Sequence, residues 1–186
     1  MSLKSQLAGF TTIETDRLLL RPVVQSDTSD IFEYLHDAET VQFITVSQIK
    51  SIDDVIENSI QGFFMVDPIG KWAIVFEGKM IGTIDMRLNE SDYSAEIGYV
   101  LNKHYWGRGM MPEAAKAVLK IAFEELHLVR VMAVHDVRNP KSGQVMLKIG
   151  MIKEGVALKF KIIKNEAIDM AIYAITDDMY EKNTAY

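Results

Sequence analysis

The sequence predicts an α/β fold: a mixed, mostly antiparallel central sheet of about 6–7 strands with helices on both faces. Three observations carry this. Runs rich in β-branched and aromatic residues, bounded by Gly, Asn and Asp, recur through residues 71–101 and again through 130–175. Segments with apolar residues at helical spacing interrupt them. Hairpin connections outnumber strand–helix–strand crossovers, so antiparallel pairing dominates.

Taken in order, Arg17 to Arg21, just before Pro22, is the first strand. Asp27 or Ser26 can cap a helix with Ile31, Phe32 and Leu35 on one face. Ser51 with Asp54 three residues later resembles a capping box, and Val55, Ile56, Ile60 and Phe63 follow at helical spacing. Lys71–Phe76 and Met80–Leu88 form a hairpin across Glu77-Gly78-Lys79. Ala95–Leu101 is the next strand, after a polar loop. Pro112 to His127 is the clearest helix, with Pro112 in the first turn and Glu113 complementing the helix dipole. Arg130–Val137 is a β-branched strand, and Lys141–Ile149 is a short helix stopped by Gly150. Strands near 152–160 and 167–175 close the domain.

The 186 residues contain no repeat, low-complexity tract or linker, so one domain is expected over residues 12–180, with short tails at 1–11 and 181–186. A chain this long buries roughly 70% of its unfolded surface and needs no staple. It has no Cys, which excludes disulfides, thiol catalysis and Cys-based zinc sites. The four His residues lack ligand spacing, so no metal is expected. A net charge of −6 argues against direct nucleic-acid binding. No apolar stretch approaches the roughly 20 residues that span a bilayer, and the N-terminus lacks a secretory pattern. The expectation is a cytoplasmic protein with no membrane contact. Charge is uneven: residues 22–67 hold nine acids and one base, Lys50, whereas residues 141–164 hold six Lys and one acid, Glu154. The acidic part can attract cations and the basic part anions, unless both are only solvated helix faces.

The most informative segment is Tyr105-Trp106-Gly107-Arg108-Gly109-Met110-Met111-Pro112-Glu113-Ala114, between a strand and a long helix. Glycines let a backbone approach a ligand, and the first helical turn carries unpaired amides and a partial positive charge. Together they suit a pyrophosphate, with Arg108 as an added cation. The Walker pattern is absent, and a dinucleotide fingerprint fails at Pro112. A Gly-x-Gly turn can equally be a plain connection.

The segment resembles the acetyl-CoA pyrophosphate loop of the GNAT superfamily of N-acetyltransferases, Gln/Arg-x-x-Gly-x-Gly/Ala. Trp106, Gly109 and Met111 fall at its defined positions, and Trp106 and Met111 depart from it. The Trp-Gly-x-Gly variant followed by Glu-Ala is similar to the branch that acetylates ribosomal-protein N-termini. So are Glu14 to Pro22, Ala95-Glu96-Ile97-Gly98-Tyr99, and Asn139-x-x-Ser142 through Lys148-Ile149-Gly150-Met151.

The resemblance implies an enzyme that moves an acetyl group from acetyl-CoA to an amine: a basic protein N-terminus, or a small amine such as a polyamine, amino acid or antibiotic. A weakly catalytic acyl-CoA-binding module and a nucleotide-binding regulator are the rival readings. Residues 106–111 (Trp106, Gly107, Arg108, Gly109, Met110, Met111) would hold the pyrophosphate, with Lys103, Lys141 and Lys148 as further phosphate contacts. The backbone at Val100 and Leu101 would hold pantetheine and the thioester carbonyl, unless the Leu101 N–H makes an ordinary ladder bond. Asn139 would hold the pantetheine arm. Glu96 is the preferred general base, with Asp85 second and an exposed strand Glu as the bland alternative. Many superfamily members place a Tyr acid where Met146 stands; here Ser142 takes that role, or is only a helix cap. Trp72, Tyr93 and Tyr105 line the acceptor pocket or simply pack. Exposed sheet edges allow a homodimer.

Overall fold

The structure is a computed structural model in which residues 1–184 are described. Eight strands form one sheet: β1 Ile13–Glu14, β2 Leu18–Arg21, β3 Lys71–Phe76, β4 Lys79–Asn89, β5 Ser94–Leu101, β6 Arg130–Asp136, β7 Ile152–Ile163 and β8 Glu166–Thr176. Their spatial order is β1-β2-β3-β4-β5-β6-β8-β7. Every neighbouring pair is antiparallel except β5–β6. The strand beyond the expected 6–7 is β1, two residues paired with Leu19 and Leu20, too short to show a period.

Helices cover both faces. On one face lie α1 (Leu3–Leu7), α5 (Met110–Lys120, continuing in a wider turn through Ile121–Glu125), α6 (Pro140–Lys148) and α7 (Asp177–Thr184). On the other lie α2 (Thr28–Leu35), α3 (Ala38–Val41) and α4 (Ile52–Asp54, continuing through Val55–Phe64). Strand alternation divides the core between them: Ile74, Ile84 and Met86 face the α5 side, and Ala73 and Val75 the α2 side. Residues 1–11, expected as a tail, add Leu3 and Leu7 to the α5-side core, and α7 runs past residue 180.

Local chemistry explains most element ends. Ser51 and Asp54 form the expected capping box at the start of α4. The β3–β4 hairpin turns on Glu77 and Gly78, both left-handed (φ +50° and +80°), as a tight hairpin requires. Asp27 does not cap α2. Its buried carboxylate instead takes the Arg21 fork at 2.7 and 2.8 Å and the Val24 amide at 2.9 Å, fastening β2 to the start of α2.

The close approach of β4 and β5 depends on Gly82. A Cβ there would stand 2.3 Å from the Val100 carbonyl oxygen and 2.9 Å from the Leu101 Cα. Gly82→Ala is therefore expected to cost at least about 2 kcal/mol by overpacking against backbone. Gly155→Ala, which meets nothing within 4 Å, should stay within about 0.5 kcal/mol of the parent. Urea midpoints of the two variants check both.

Candidate active site

The only parallel pair in the described sheet, β5–β6, is cut short although both of its strands run on. β5 and β6 match at Ser94, Ala95 and Glu96 against Arg130, Val131 and Met132, and pairing then stops. Beyond that point β5 stays on β4 as far as Leu101, and β6 stays on β8 as far as Asp136. The sheet opens between them like a V.

Hydrogen-bond parity shows which β5 groups face the opening. The Asn102 amide bonds back to Ile81 on the β4 side at 2.8 Å, while the Tyr93 carbonyl takes the amide of Val129, just before β6. Even-numbered β5 residues therefore bond to β4, and Tyr99 and Leu101 turn their amides to the opening. This corrects one expectation: the Val100 amide belongs to the β4 ladder, although its side chain lines the cleft.

A cleft of about 1630 Å³ runs through the V. At its α5 end lies the glycine turn. Gly107 and Gly109 both have positive φ (+76° and +78°), which their neighbours could adopt only with strain. Among the described residues, the amides of 107–111 donate to no backbone acceptor, and Pro112 removes the next one. These free amides sit at the positive end of an eleven-residue helix. The turn is braced from outside: Arg17 donates to the Arg108 carbonyl (3.2 Å) and to Glu113 (2.7 Å), which also accepts from Thr15 at 2.6 Å. The Trp106 indole N–H donates to the Leu101 carbonyl at 2.8 Å, tying the turn to the end of β5.

Arg108 is placed otherwise than expected. Its guanidinium lies 5.3 Å from the Tyr105 ring centre, and its side chain is not part of the cleft wall. Lys103 is held by Asp37. Lys141 and Lys148 do line the cleft; the Lys141 ammonium stands 4.2 Å from the Trp106 ring centre and 3.6 Å from Glu39.

On the α2 side of the sheet, Asp85, Arg87 and Glu96 form one group in the cleft. Arg87 bonds both carboxylates, at 2.8 Å to Glu96 Oε1. The other Glu96 oxygen has no partner among the described residues. Gly98 makes room for this group, because a Cβ there would lie 3.0 Å from both Asp85 and Arg87. Burial raises the Asp85 carboxyl above the usual range, against the pull of Arg87.

Asn139 caps α6 by accepting from the Ser142 amide at 3.4 Å, so Ser142 is the capped residue and not the cap. The Ser142 hydroxyl lies 3.1 Å from the phenol oxygen of Tyr99, a residue to which the sequence assigned no role. Beneath α6, the buried His135 Nε2 has no partner among the described residues, and a Cβ on Gly143 would meet it at 2.8 Å. Met146 is buried in the α5-side core.

The acidic stretch proves largely self-neutralised. Asp27 pairs with Arg21, Asp30 and Glu33 with Lys79, Asp37 with Lys103, Glu39 with Lys103 and Lys141, and Asp67 with Lys4. Trp72 is core, with its N–H on the Phe10 carbonyl at 2.8 Å. Tyr93 lies outside the cleft wall, and Tyr105 is part of it. Among the described residues no group of three or more His, Cys, Asp or Glu is placed to hold a metal, and no helix is long and apolar enough to cross a membrane.

A family model described as an acetyltransferase (GNAT) domain matches residues 17–152. The chain is 31% identical over 172 residues to the uncharacterized N-acetyltransferase YoaA of Bacillus subtilis (strain 168), covering 89% of this chain and 97% of that protein. It is 26% identical over 166 residues to the ribosomal-protein-serine acetyltransferase of Escherichia coli (strain K12), covering 86% and 93%. The crystal structure of a GNAT-family acetyltransferase from Bacillus anthracis superposes with a TM-score of 0.80 at 30% identity, over 90% of this chain and 99% of that one.

The raised carboxyl of Asp85 gives a pH signature. Folded Asp85 holds its proton above the value of about 3.9 typical of an unfolded chain, so its stabilising share is complete below that value and is lost as pH rises through its folded titration. Asp85→Asn removes this loss. The melting temperature of the variant minus that of the parent should become more positive between about pH 4 and about pH 7. Parallel melts across that range check it, and a flat difference would contradict it.

Proposed function

The chain belongs to the GNAT acetyltransferase family and is an N-acetyltransferase; from that premise we propose that it moves an acetyl group from acetyl-CoA to a primary amine, with a protein N-terminal amine of the ribosomal-protein type as acceptor. One observation carries the reading. The opening between β5 and β6 brings the turn residues Gly107, Gly109, Met110 and Met111 with their free amides, the outward amides of Tyr99 and Leu101, and the Asp85–Arg87–Glu96 group onto a single cleft.

Each part has a chemical task. The amides of Gly107, Arg108, Gly109, Met110 and Met111 meet the diphosphate of acetyl-CoA; Arg108 serves through its backbone, and Lys141 and Lys148 supply the cations. Trp106 keeps the turn against the end of β5. The free Asn139 side-chain N–H₂ meets the pantetheine arm. The Leu101 amide faces the thioester carbonyl, where negative charge develops as the amine attacks. Glu96, through its unpaired oxygen, takes the amine proton directly or through one water. Arg87 bridges the two carboxylates and fixes Glu96 through its other oxygen. Ser142 stands where the leaving sulfur needs a hydrogen-bond donor.

The acceptor assignment is supported by the Escherichia coli relative and by apolar walls at Phe43, Ile44 and Phe63, which suit a peptide end. Because the acids of residues 22–67 are mostly met by the chain's own bases, selection of the acceptor falls to the cleft floor and not to a general acidic surface. A cytoplasmic location fits such an acceptor, and the outer edge of β7, with Leu158 and Phe160 exposed, is where a second copy could pair.

Thiol release from acetyl-CoA, measured with a panel of ribosomal-protein N-terminal peptides, polyamines, amino acids and antibiotics, tests this. Release with the peptides supports the full reading. Release only with a small amine moves the acceptor class. Stabilisation by CoA without release makes the chain a binding module. Glu96→Gln should lower kcat by about 10²-fold or more while leaving acetyl-CoA affinity within about twofold. Equal loss in both would remove Glu96 as base.

A further inference from the structure

The position from which many acetyltransferases of this fold donate a proton is filled here by the buried Met146. Ser142 is the nearest hydroxyl by sequence, yet a lone serine is a very weak acid. The structure supplies what the sequence reading lacked. Tyr99, on the β5 arm of the V, reaches across to α6, and its phenol oxygen lies 3.1 Å from both the Ser142 hydroxyl and the Ser142 carbonyl. Both residues line the cleft.

We propose that Tyr99 is a positioning residue that orients and polarises the Ser142 hydroxyl, so that the pair donates a hydrogen bond to the CoA sulfur as a thiolate and does not hand it a proton. The inference rests on the acetyl-CoA reading above. When the tetrahedral intermediate collapses, the C–S bond breaks and its electron pair goes to sulfur. The proton of the amine has gone to Glu96. The sulfur accepts a hydrogen bond from Ser142 Oγ–H and leaves as thiolate, to be protonated by solvent water. No proton has to leave Tyr99 or Ser142, so neither needs recharging.

Three observations agree with this division of work. Burial holds the Tyr99 phenol up at about 12, so it stays protonated wherever the enzyme is folded and active. The Tyr99 O–H donates toward the Ser142 carbonyl and hydroxyl oxygens, which leaves the Ser142 proton for the sulfur, and a hydroxyl that accepts a hydrogen bond donates more strongly, more so away from water. Ser142 also sits in the first turn of α6, whose dipole favours negative charge near it. The titratable neighbours are Tyr173 on β8, His135 on β6, and Lys141 and Lys148 on α6. All of them remain in a Tyr99→Phe variant, so a difference between variant and parent reports on the one hydroxyl removed.

Two experiments test the proposal. The first is direct titration of the protein with CoA and with desulfo-CoA from about pH 7 to about pH 10, spanning a thiol titration near 8.5 by analogy with Cys. The parent should gain about tenfold in affinity for CoA relative to desulfo-CoA as the thiolate forms, the worth of one hydrogen bond to a charged group, and Tyr99→Phe should lose most of that gain. An equal gain in both proteins overturns the proposal. If neither ligand binds the parent, the acetyl-CoA reading itself has failed and the inference with it. The second is a double-mutant cycle on kcat. Tyr99→Phe and Ser142→Ala should each lower kcat about tenfold or more at unchanged acetyl-CoA KM and melting temperature, and the double variant should be no slower than the worse single one. Additive losses, or a new basic limb in the pH–rate profile of the parent that Tyr99→Phe abolishes, would show independent roles or true proton transfer and would overturn it.

Discussion

The site depends on one constraint: the parallel pairing of β5 with β6 ends after three residues. Each strand is committed elsewhere. β5 is paired with β4 along its whole length, at a separation that only Gly82 permits, and β6 is paired with β8 along its whole length. Neither can follow the other beyond Glu96. The backbone groups left over between them would be costly if buried without partners, so they must find a ligand or water. An extended donor molecule with its own amides and carbonyls is a natural occupant. The site is thus built into the sheet topology and not laid on its surface.

The glycine turn is held in place by the same logic. Its conformation is demanding, with two left-handed residues and several unpaired amides, and it is not stabilised from within. Stabilisation comes from Arg17 and Thr15, which meet Glu113, and from Trp106, which meets the Leu101 carbonyl. The N-terminal strand region and the end of β5 therefore position a loop nearly a hundred residues further along the chain from the first of them. Trp106, which departs from the family's motif, has a structural task that a Gln or Arg side chain would perform differently. Its ring also offers a face to Lys141.

Charge follows a similar pattern. In the sequence the acidic and basic stretches look like two surfaces of opposite sign. Folded, they touch at α3, and most of the acids pair with bases from elsewhere in the chain. Lys103 from the end of β5 and Lys141 from α6 both reach acids around α3, and Lys164 from the β7–β8 turn donates to the Val41 carbonyl at 2.6 Å. Three elements far apart in sequence so converge on the short α3 segment beside the cleft. In Asp37 the Lys103 hydrogen bond and the Thr40 groups lower the carboxyl to about 2, which keeps it charged under any ordinary condition.

What the sequence determined by itself is local. Period-two and helical spacing placed every strand but β1 and the helices α2, α4, α5 and α6, though not the short α1, α3 and α7; Ser51 and Asp54 announced a cap, and the Gly-x-Gly turn before a helix announced an anion site. The order of weak motifs pointed to the family, and the missing Tyr at position 146 could be read directly. What only the tertiary structure decided is where partners meet. Val100 and Leu101 are adjacent in sequence, yet opposite edges of one strand separate their amides. Arg108 lies beside Tyr105, outside the cleft wall. Asp85 and Glu96 are joined by Arg87, and Tyr99 meets Ser142 across forty-three positions. Patterning reports burial and local geometry, because those depend on near neighbours. Strand register, ion pairing and the environment of a hydroxyl depend on contacts distant in the chain, which no local period encodes.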